Sequence, residues 1–437
     1  YPHPALEDCL KRTLGVPVFQ EQLMQIAMTV GGCTGEDADL LRRAMGSKRG
    51  LERIESLRET LYTGMAQHGL DQATSDRIYA MIQAFASFGF AESHSLSFAL
   101  LVYASAWLKL HYPAIFLAGL LRAWPMGFYL PASLVSDAER HGVSIRRPSV
   151  QYSEVHASVE PLTGKSAAPT GRDDCLIYEQ PTPTSVFDPS GEDPTVSHRR
   201  DGELAARLGL ASVKGVGLET ATRIVQERQQ GGPFADASDL ARRVGLSSTH
   251  IEALASAGAL EDLALTRREA LWSAGYLAQE HPQHLPHTAR APQLPLFPQM
   301  SAHEVMVSDR TFTGVSPGDH PLRYLRTWLR DQGVFTVAEM RNVEISRRVW
   351  AAGLVTHRQR PATAMGVTFL NVEDETGLVN VICGVGFWKR HRGVLRDSAA
   401  VIIRGLLERS PEGVVSIVAD GVEALDVAVS GAARDFR

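Results

Sequence analysis

The chain is short of lysine and cysteine. Of its 437 residues 44 are Lys or Arg, and only six of these are Lys: Lys11, Lys48, Lys109, Lys165, Lys214 and Lys389. Arginine suits bidentate phosphate contacts, although a GC-rich genome produces the same bias. The four cysteines, Cys9, Cys33, Cys175 and Cys383, lie far apart and form no CxxC pair. That spacing argues against a zinc ribbon or a disulfide framework and points to a reducing, cytoplasmic setting. Long apolar runs are missing too. The longest, Phe98 to Leu108, contains Ser105 and stops at Lys109, too short to span a bilayer. No signal peptide is visible. Walker A, GxSxG, HExxH and GxGxxG patterns are absent from any fitting context. Asp37-Ala-Asp39 sits on a helical stretch beside arginines and makes no convincing metal pair. A net charge of -5 excludes a generally basic nucleic-acid sponge.

What is present is enough for two to four domains. The chain opens at Tyr1 rather than Met, inside sequence that already reads as folded, so it reads as a piece of something longer. Residues 1–148 have helical patterning. Val18–Met28 is helix-forming, and Leu51–His68 is amphipathic, with Leu51, Ile54, Leu57, Leu61 and Met65 at spacings of three and four. Asp71–Ala86 is a further helix. Ser95–Leu110 is apolar nearly all round and reads as buried. Pro113 and Pro131 stand where helices open, the first over Ala114–Ala123 and the second running to His141. Residues 149–202 carry 4 basic and 9 acidic side chains. Within them 157–200, rich in Pro, Ser, Thr and Gly, reads as a largely disordered loop insertion. A helical pattern resumes at Leu204. Residues 281–320 form a Pro- and His-rich connector. From Val349 the period shortens into about five β-rich runs, the pattern of a small barrel.

Five constellations could carry chemistry. In LGLASVKGVGLETATRIV (208–225) a helix would end near Val213, turn through Gly215-Val216-Gly217 and restart. This is the helix-hairpin-helix design, which grips nucleic-acid backbone without reading sequence. Lys214 and Arg223 stand where they could touch phosphate, or be solvated helix residues. A related turn follows at 246–260. The alternative for the whole segment is a helical connector with glycine turns. In the β-rich tail, VTFLNVEDETGLVNVIC has the strand-turn-strand form of an OB-fold. Lys389, Arg390 and Arg392, beside Phe387 and Trp388, would form a strand-binding patch or a solvated loop with a core Trp. LLRRAMGSKR (40–49) places four cations within eight residues, a triphosphate clamp or a solvated charged face. Arg42 and Arg43 face different sides of a helix, so they share a pocket only if the helix ends there. His94 follows a turn and precedes the apolar helix, where a cap or packed side chain is the commoner role. Gln293-Leu-Pro-Leu-Phe297 suits docking into a partner's apolar pocket, or is chance in a Pro/Leu-rich linker.

Taken in order, VFQEQLMQIA (18–27), ADLLRRAMGSKR (38–49), FGFAESHSLSFALLVYASAWLKLHYPAIF (88–116), the helix-hairpin-helix segment, HPLRYLR (320–326) and FLNVEDETGLVNVIC (369–383) resemble the C-terminal half of bacterial C-family DNA polymerases, the alpha-subunit type. Glu92, where replicative members typically have Lys, and AWPMGFYLPASLVSDAERHGV (123–143) place the resemblance closer to the error-prone branch. It covers nearly the whole chain except about 157–200.

The resemblance implies a multidomain α plus β fold. Its parts are helical polymerase fingers over 1–150, a linker or insertion over 151–202, tandem helix-hairpin-helix over 203–280, a linker with the clamp-like peptide and short helices over 281–344, and a C-terminal OB-fold over 345–427. It implies DNA-directed nucleotide transfer with Mg2+ held by palm aspartates, which in this family precede the fingers and are not in this sequence; the chain alone is expected not to polymerise. Arg42 and Arg43 match the finger arginines that meet the incoming dNTP. His94 matches a steric gate near its sugar. Phe88 stands where replicative relatives often have Tyr, near the base pair. Gln293, Leu294, Leu296 and Phe297 resemble the sliding-clamp peptide, which the error-prone branch can leave to an accessory protein. The branch acts in damage-induced translesion synthesis with Y-family-like and RecA-like partners. The rival expectation is a stand-alone, non-catalytic DNA-binding or scaffold protein derived from a polymerase.

Overall fold

Side-chain caps set where the first helices begin. The Thr34 hydroxyl accepts from the Asp37 N–H at 3.2 Å and the Asp37 carboxylate accepts from the Thr34 N–H at 2.9 Å, opening the Gly35–Ala44 helix. Asp71 accepts from the Thr74 N–H at 2.7 Å to open Gln72–Ala84. The computed structural model describes all residues except 46–49, 86–89, 128, 163–198, 281–297, 362–363, 411–413, 428–433 and 437. It divides into two units, Tyr1–Trp107 and Leu108–Arg437.

The first unit is helical around Leu6, Leu23, Ile26, Leu41, Leu61 and Ile78. Its tightest packing is glycine on glycine. A Cβ added to Gly64 would lie 2.2 Å from the Gly31 carbonyl carbon. Gly64→Ala is therefore expected to destabilise this unit by about 1–3 kcal/mol, the usual range for overpacking, read from its urea unfolding midpoint. Two expectations change here. The single helix expected over Leu51–His68 is two, Gly50–Ser56 and Arg58–Gln67. Between them the Leu57 N–H reaches the Ile54 carbonyl at 3.1 Å, a tighter turn that keeps Leu57 in the core. The apolar helix runs Glu92–His111 and is exposed over most of its length, with Leu100 72% and Tyr103 79% accessible, not buried as its composition suggested. Hydropathy reports that a helix surface favours cover, not what provides it.

The second unit begins with the Pro113–Arg122 and Pro131–Arg140 helices, each opened by its proline. Three strands follow: β1 (Ser144–Arg146), β2 (Ser158–Pro161) and β3 (Leu204–Arg207). β3 is central, parallel to β1 and antiparallel to β2. Both β2 and β3 correct the sequence reading. The expected loop insertion starts as a strand, and Leu204 resumes as a strand rather than a helix. Pairing on both edges, with Arg207 Nη2 on Glu160 at 2.6 Å, overrides the helical propensity of the segment. Residues 163–198 lie outside the described residues. Just after them Arg199 and Asp201 are buried and paired at 2.8 Å. The Asp201 carboxylate also accepts from the Ala114 N–H at 2.8 Å, at the start of the Pro113–Arg122 helix.

The next core gathers Val213, Val216, Ile224, Leu240, Ile251 and Leu254. It is built from the helices Gly217–Gly231, Ala237–Val244, Ser248–Ser256 and Arg267–Leu277. The helix expected to end near Val213 is only a 3-10 turn, Leu210–Ser212, because β3 has taken the preceding residues. The Ala302–Thr313 helix packs on this core through Phe312, and its Asp309 pairs with Arg147 and Arg267, each at 2.8 Å.

The chain then forms β4 (Val334–Phe335), β5 (Arg348–Gln359), β6 (Thr368–Asp374), β7 (Gly377–Cys383), β8 (Ala400–Arg409), β9 (Val415–Ala424) and β10 (Arg434–Phe436). The order β5-β6-β7-β9-β8, with β8 returning to β5, closes a five-stranded barrel. Register breaks at Val355/His357 and Arg404/Gly405 help the long strands curve. Val349, Leu370, Val381, Ile403 and Ile417 fill it. The Val385–Asp397 helix lies between β7 and β8. Among the described residues no helix is long and apolar enough to cross a membrane.

Candidate nucleic-acid interface

The hairpin at 213–217 is shaped by two glycines in left-handed conformations, Gly215 at φ +96° and Gly217 at φ +74°. A Cβ on Gly215 would meet the Ala253 Cβ at 3.3 Å, so the turn sits against the Ser248–Ser256 helix. On its other side the Lys214 N–H donates to the Phe312 carbonyl at 2.7 Å. The helix that follows begins at Gly217 with Val216 as its N-cap, which offers no side-chain acceptor. The neighbouring helices are capped by Asp236, Ser247 and Thr266. The first-turn N–H groups after Val216 are thus left for an outside acceptor, and the helix dipole favours an anion there.

Lys214 is exposed beside this turn. Arg223, further along the same helix, is half-buried, with its Nε shielded and without a hydrogen-bond partner among the described residues. Other arginines of this region are committed to the fold. Arg228 donates to the carbonyls of Val150 and Ser153 at 2.9 and 2.8 Å, and Arg243 pairs with Asp239 at 3.2 Å. The structure therefore brings Lys214, Gly215 and Gly217 to one turn and keeps Arg223 on the helix it opens. What the turn can do chemically is hold a phosphate through backbone donors and adjacent cations, with no base edge being read.

Lys389, Arg390 and Arg392 are exposed on the Val385–Asp397 helix rather than on a loop. The two aromatics beside them turn to the barrel. Phe387 is buried in its core, and Trp388, half-buried, packs against that core.

Arg42 and Arg43 occupy the last turn of Gly35–Ala44 and converge on one carboxylate. Asp39 receives Arg42 Nε at 3.0 Å and Nη2 at 2.9 Å, and Arg43 Nη2 at 2.8 Å. The Arg42 hydrogen bond, then the charges of Arg43 and Arg42, hold the Asp39 carboxyl below its usual range. The i+3 and i+4 spacing from Asp39 lets both reach it although they leave the helix on different sides. Asp37 is used by the cap and Asp39 by the arginines. Among the described residues no group of three or more His, Cys, Asp or Glu is arranged to hold a metal ion. His94 lies edge-on between Phe90 and Phe98, with ring centroids 5.6 and 4.5 Å away. Phe88 and the Gln293–Phe297 peptide lie outside the described residues.

One feature had no sequence signal: a cavity of about 730 Å3 beside the hairpin, lined by Trp124, Lys214, Arg310 and Phe312 among others. Its walls come from segments far apart in the chain, and no local pattern announces them.

Three families match in order along the chain. Residues 1–69 match the bacterial DNA polymerase III alpha subunit finger domain, 142–270 the helix-hairpin-helix motif, and 349–425 the OB-fold nucleic acid binding domain. Over its whole length the chain is 55% identical to the error-prone DNA polymerase of Cutibacterium acnes. The chain is thus similar to part of an error-prone DNA polymerase. It is also 46% identical to the one from Nocardia farcinica and 45% identical to that of Mycobacterium bovis, again over 100% of its length. It spans 39%, 35% and 36% of those three error-prone DNA polymerases, less than half of each. The helix-hairpin-helix match covers the uncapped Gly217 helix, and the OB-fold match covers the closed barrel.

Proposed function

We propose that the chain is the C-terminal portion of an error-prone DNA-directed DNA polymerase that acts in damage-induced translesion synthesis in the cytoplasm. The observation that carries this reading is the 55% identity, over the whole chain, with an error-prone DNA polymerase. In this reading the chain's own work is grip. The hairpin at Lys214, Gly215 and Gly217, with Arg223, holds duplex phosphates, and Lys389, Arg390 and Arg392 attract single strand. Arg42 and Arg43 exchange Asp39 for the triphosphate of a dNTP, which competes for both guanidiniums with more negative charge. His94, with Phe88, borders the nucleotide. Nucleotide transfer would need Mg2+ held by palm aspartates of the parent polymerase. Gln293–Phe297 serves a sliding clamp, and Y-family-like and RecA-like proteins are the further partners.

The test is DNA binding by the full chain, followed by fluorescence anisotropy of a labelled duplex. Affinity is expected to fall by about tenfold or more between about 50 and about 200 mM salt, because several phosphate contacts release counterions together. No binding at the lower salt would overturn the reading.

A further inference from the structure

The cavity beside the hairpin has a composition unlike the rest of an acidic protein. It holds about 730 Å3, within the roughly 300–1,000 Å3 of small-ligand pockets. Arg122, Lys214 and Arg310 line it, and no Asp or Glu is among its lining residues. None of the three cations forms an ion pair with a described residue. Arg310 is largely withdrawn from water, which pulls its pKa down, while the charge of Glu373 acts the other way. The opening of the Pro131–Arg140 helix is also in the wall, and its N-cap Leu130 supplies no side-chain acceptor. Two aromatic rings also line the cavity, Trp124, 42% exposed, and Phe312. Lys214 belongs both to the cavity and to the glycine hairpin, so the two are continuous.

We propose that this cavity receives one unpaired nucleotide of a DNA strand held at the hairpin. Its base lies against Trp124 and Phe312, and its phosphate is met by Lys214 and Arg310. Cations without carboxylates select an anion, and flat apolar rings select a planar aromatic group; a nucleotide carries both. A paired base offers neither of its faces, being stacked within the duplex, so the occupant is unpaired. This inference rests on the DNA-binding reading of the hairpin.

The experiment compares labelled blunt duplex with the same duplex bearing a two-nucleotide overhang, normal or abasic, on the full chain. The overhang is expected to bind about tenfold tighter than the blunt end, and the abasic overhang to lose that advantage, as removal of one stacked base does. Trp124→Ala, which removes a ring, and Ala132→Trp, which fills the cavity, are each expected to abolish the advantage and leave blunt-duplex affinity unchanged. A thermal melt by circular dichroism confirms that each variant is folded, and either one suffices. Free deoxynucleoside monophosphate serves as a third arm and is expected to compete only weakly, because it lacks the hairpin contacts. Equal affinity for blunt and overhanging duplex would overturn the proposal. So would an advantage that survives both variants, since the strand would then bind elsewhere. Loss of all duplex binding is a different result and sinks the reading of the hairpin itself.

Discussion

Asp309→Ala is expected to lower the stability of the Leu108–Arg437 unit by about 3 kcal/mol, the lower end of what breaking a buried ion pair costs. Asp309 is 1% exposed and faces Arg147 and Arg267, each at 2.8 Å. Alanine would leave Arg267, itself buried, with Glu261 at 2.9 Å and the Ser256 carbonyl at 3.0 Å as its remaining partners. It would also release Arg147 from the Ala302–Thr313 helix. Both losses loosen the same joint, because that helix carries Phe312 against the helix-hairpin-helix core. Urea unfolding of the native and variant chains measures the difference. A midpoint within error of the native one would show that the three side chains do not act as a unit. Asp309→Asn, which retains an acceptor but not the charge, should fall between the two.

The second large effect concerns binding. Gly217→Ala is expected to weaken duplex affinity by about tenfold or more, the equivalent of losing one charge-assisted hydrogen bond. At φ +74° an alanine is strained, yet its Cβ would meet nothing within 4 Å, so the change in stability is limited to about 1 kcal/mol of backbone strain. The methyl group would nevertheless stand at the open start of the uncapped helix, where a phosphate oxygen must come close to the N–H groups. Gly333→Ala is the matched control. Its φ is +72° and its Cβ is equally unobstructed, but it follows the Arg326–Asp331 helix, away from any expected DNA contact. Anisotropy titrations of both variants would separate strain from obstruction. Equal losses in both would remove the hairpin's claim to phosphate.

What could be read from the sequence was local chemistry. Gly215-Val216-Gly217 announces a tight turn and a helix start, because both properties belong to those three residues alone. Pro113 and Pro131 announce helix starts for the same reason. About five β-rich runs after Val349 announce a small barrel, since that many short strands separated by turns suit a sheet closed on itself. Properties conferred by distant partners were not legible. Leu204–Arg207 has a helical composition and becomes a strand because β1 and β2 flank it. The break at Leu57 depends on the core that Ile54, Leu57 and Leu61 share. Arg42 and Arg43 were legible as a cluster, but their convergence on Asp39 required side-chain positions. Arg310 could not have been singled out at all, because its importance comes from the carboxylates that its cavity lacks.

The Glu92–His111 helix has a consequence for mutation. Its wetted side chains contribute little to holding this chain together, so exchanging Leu100 or Tyr103 for a polar residue should hardly move the melt of the isolated chain. Each square ångström of apolar surface that something else covers is worth roughly 25 cal/mol. Covering the helix would therefore release free energy that the isolated chain does not use. A substitution scan across it would be silent in a stability assay and would register only in the presence of whatever covers it, so the scan itself would serve as a detector for that contact.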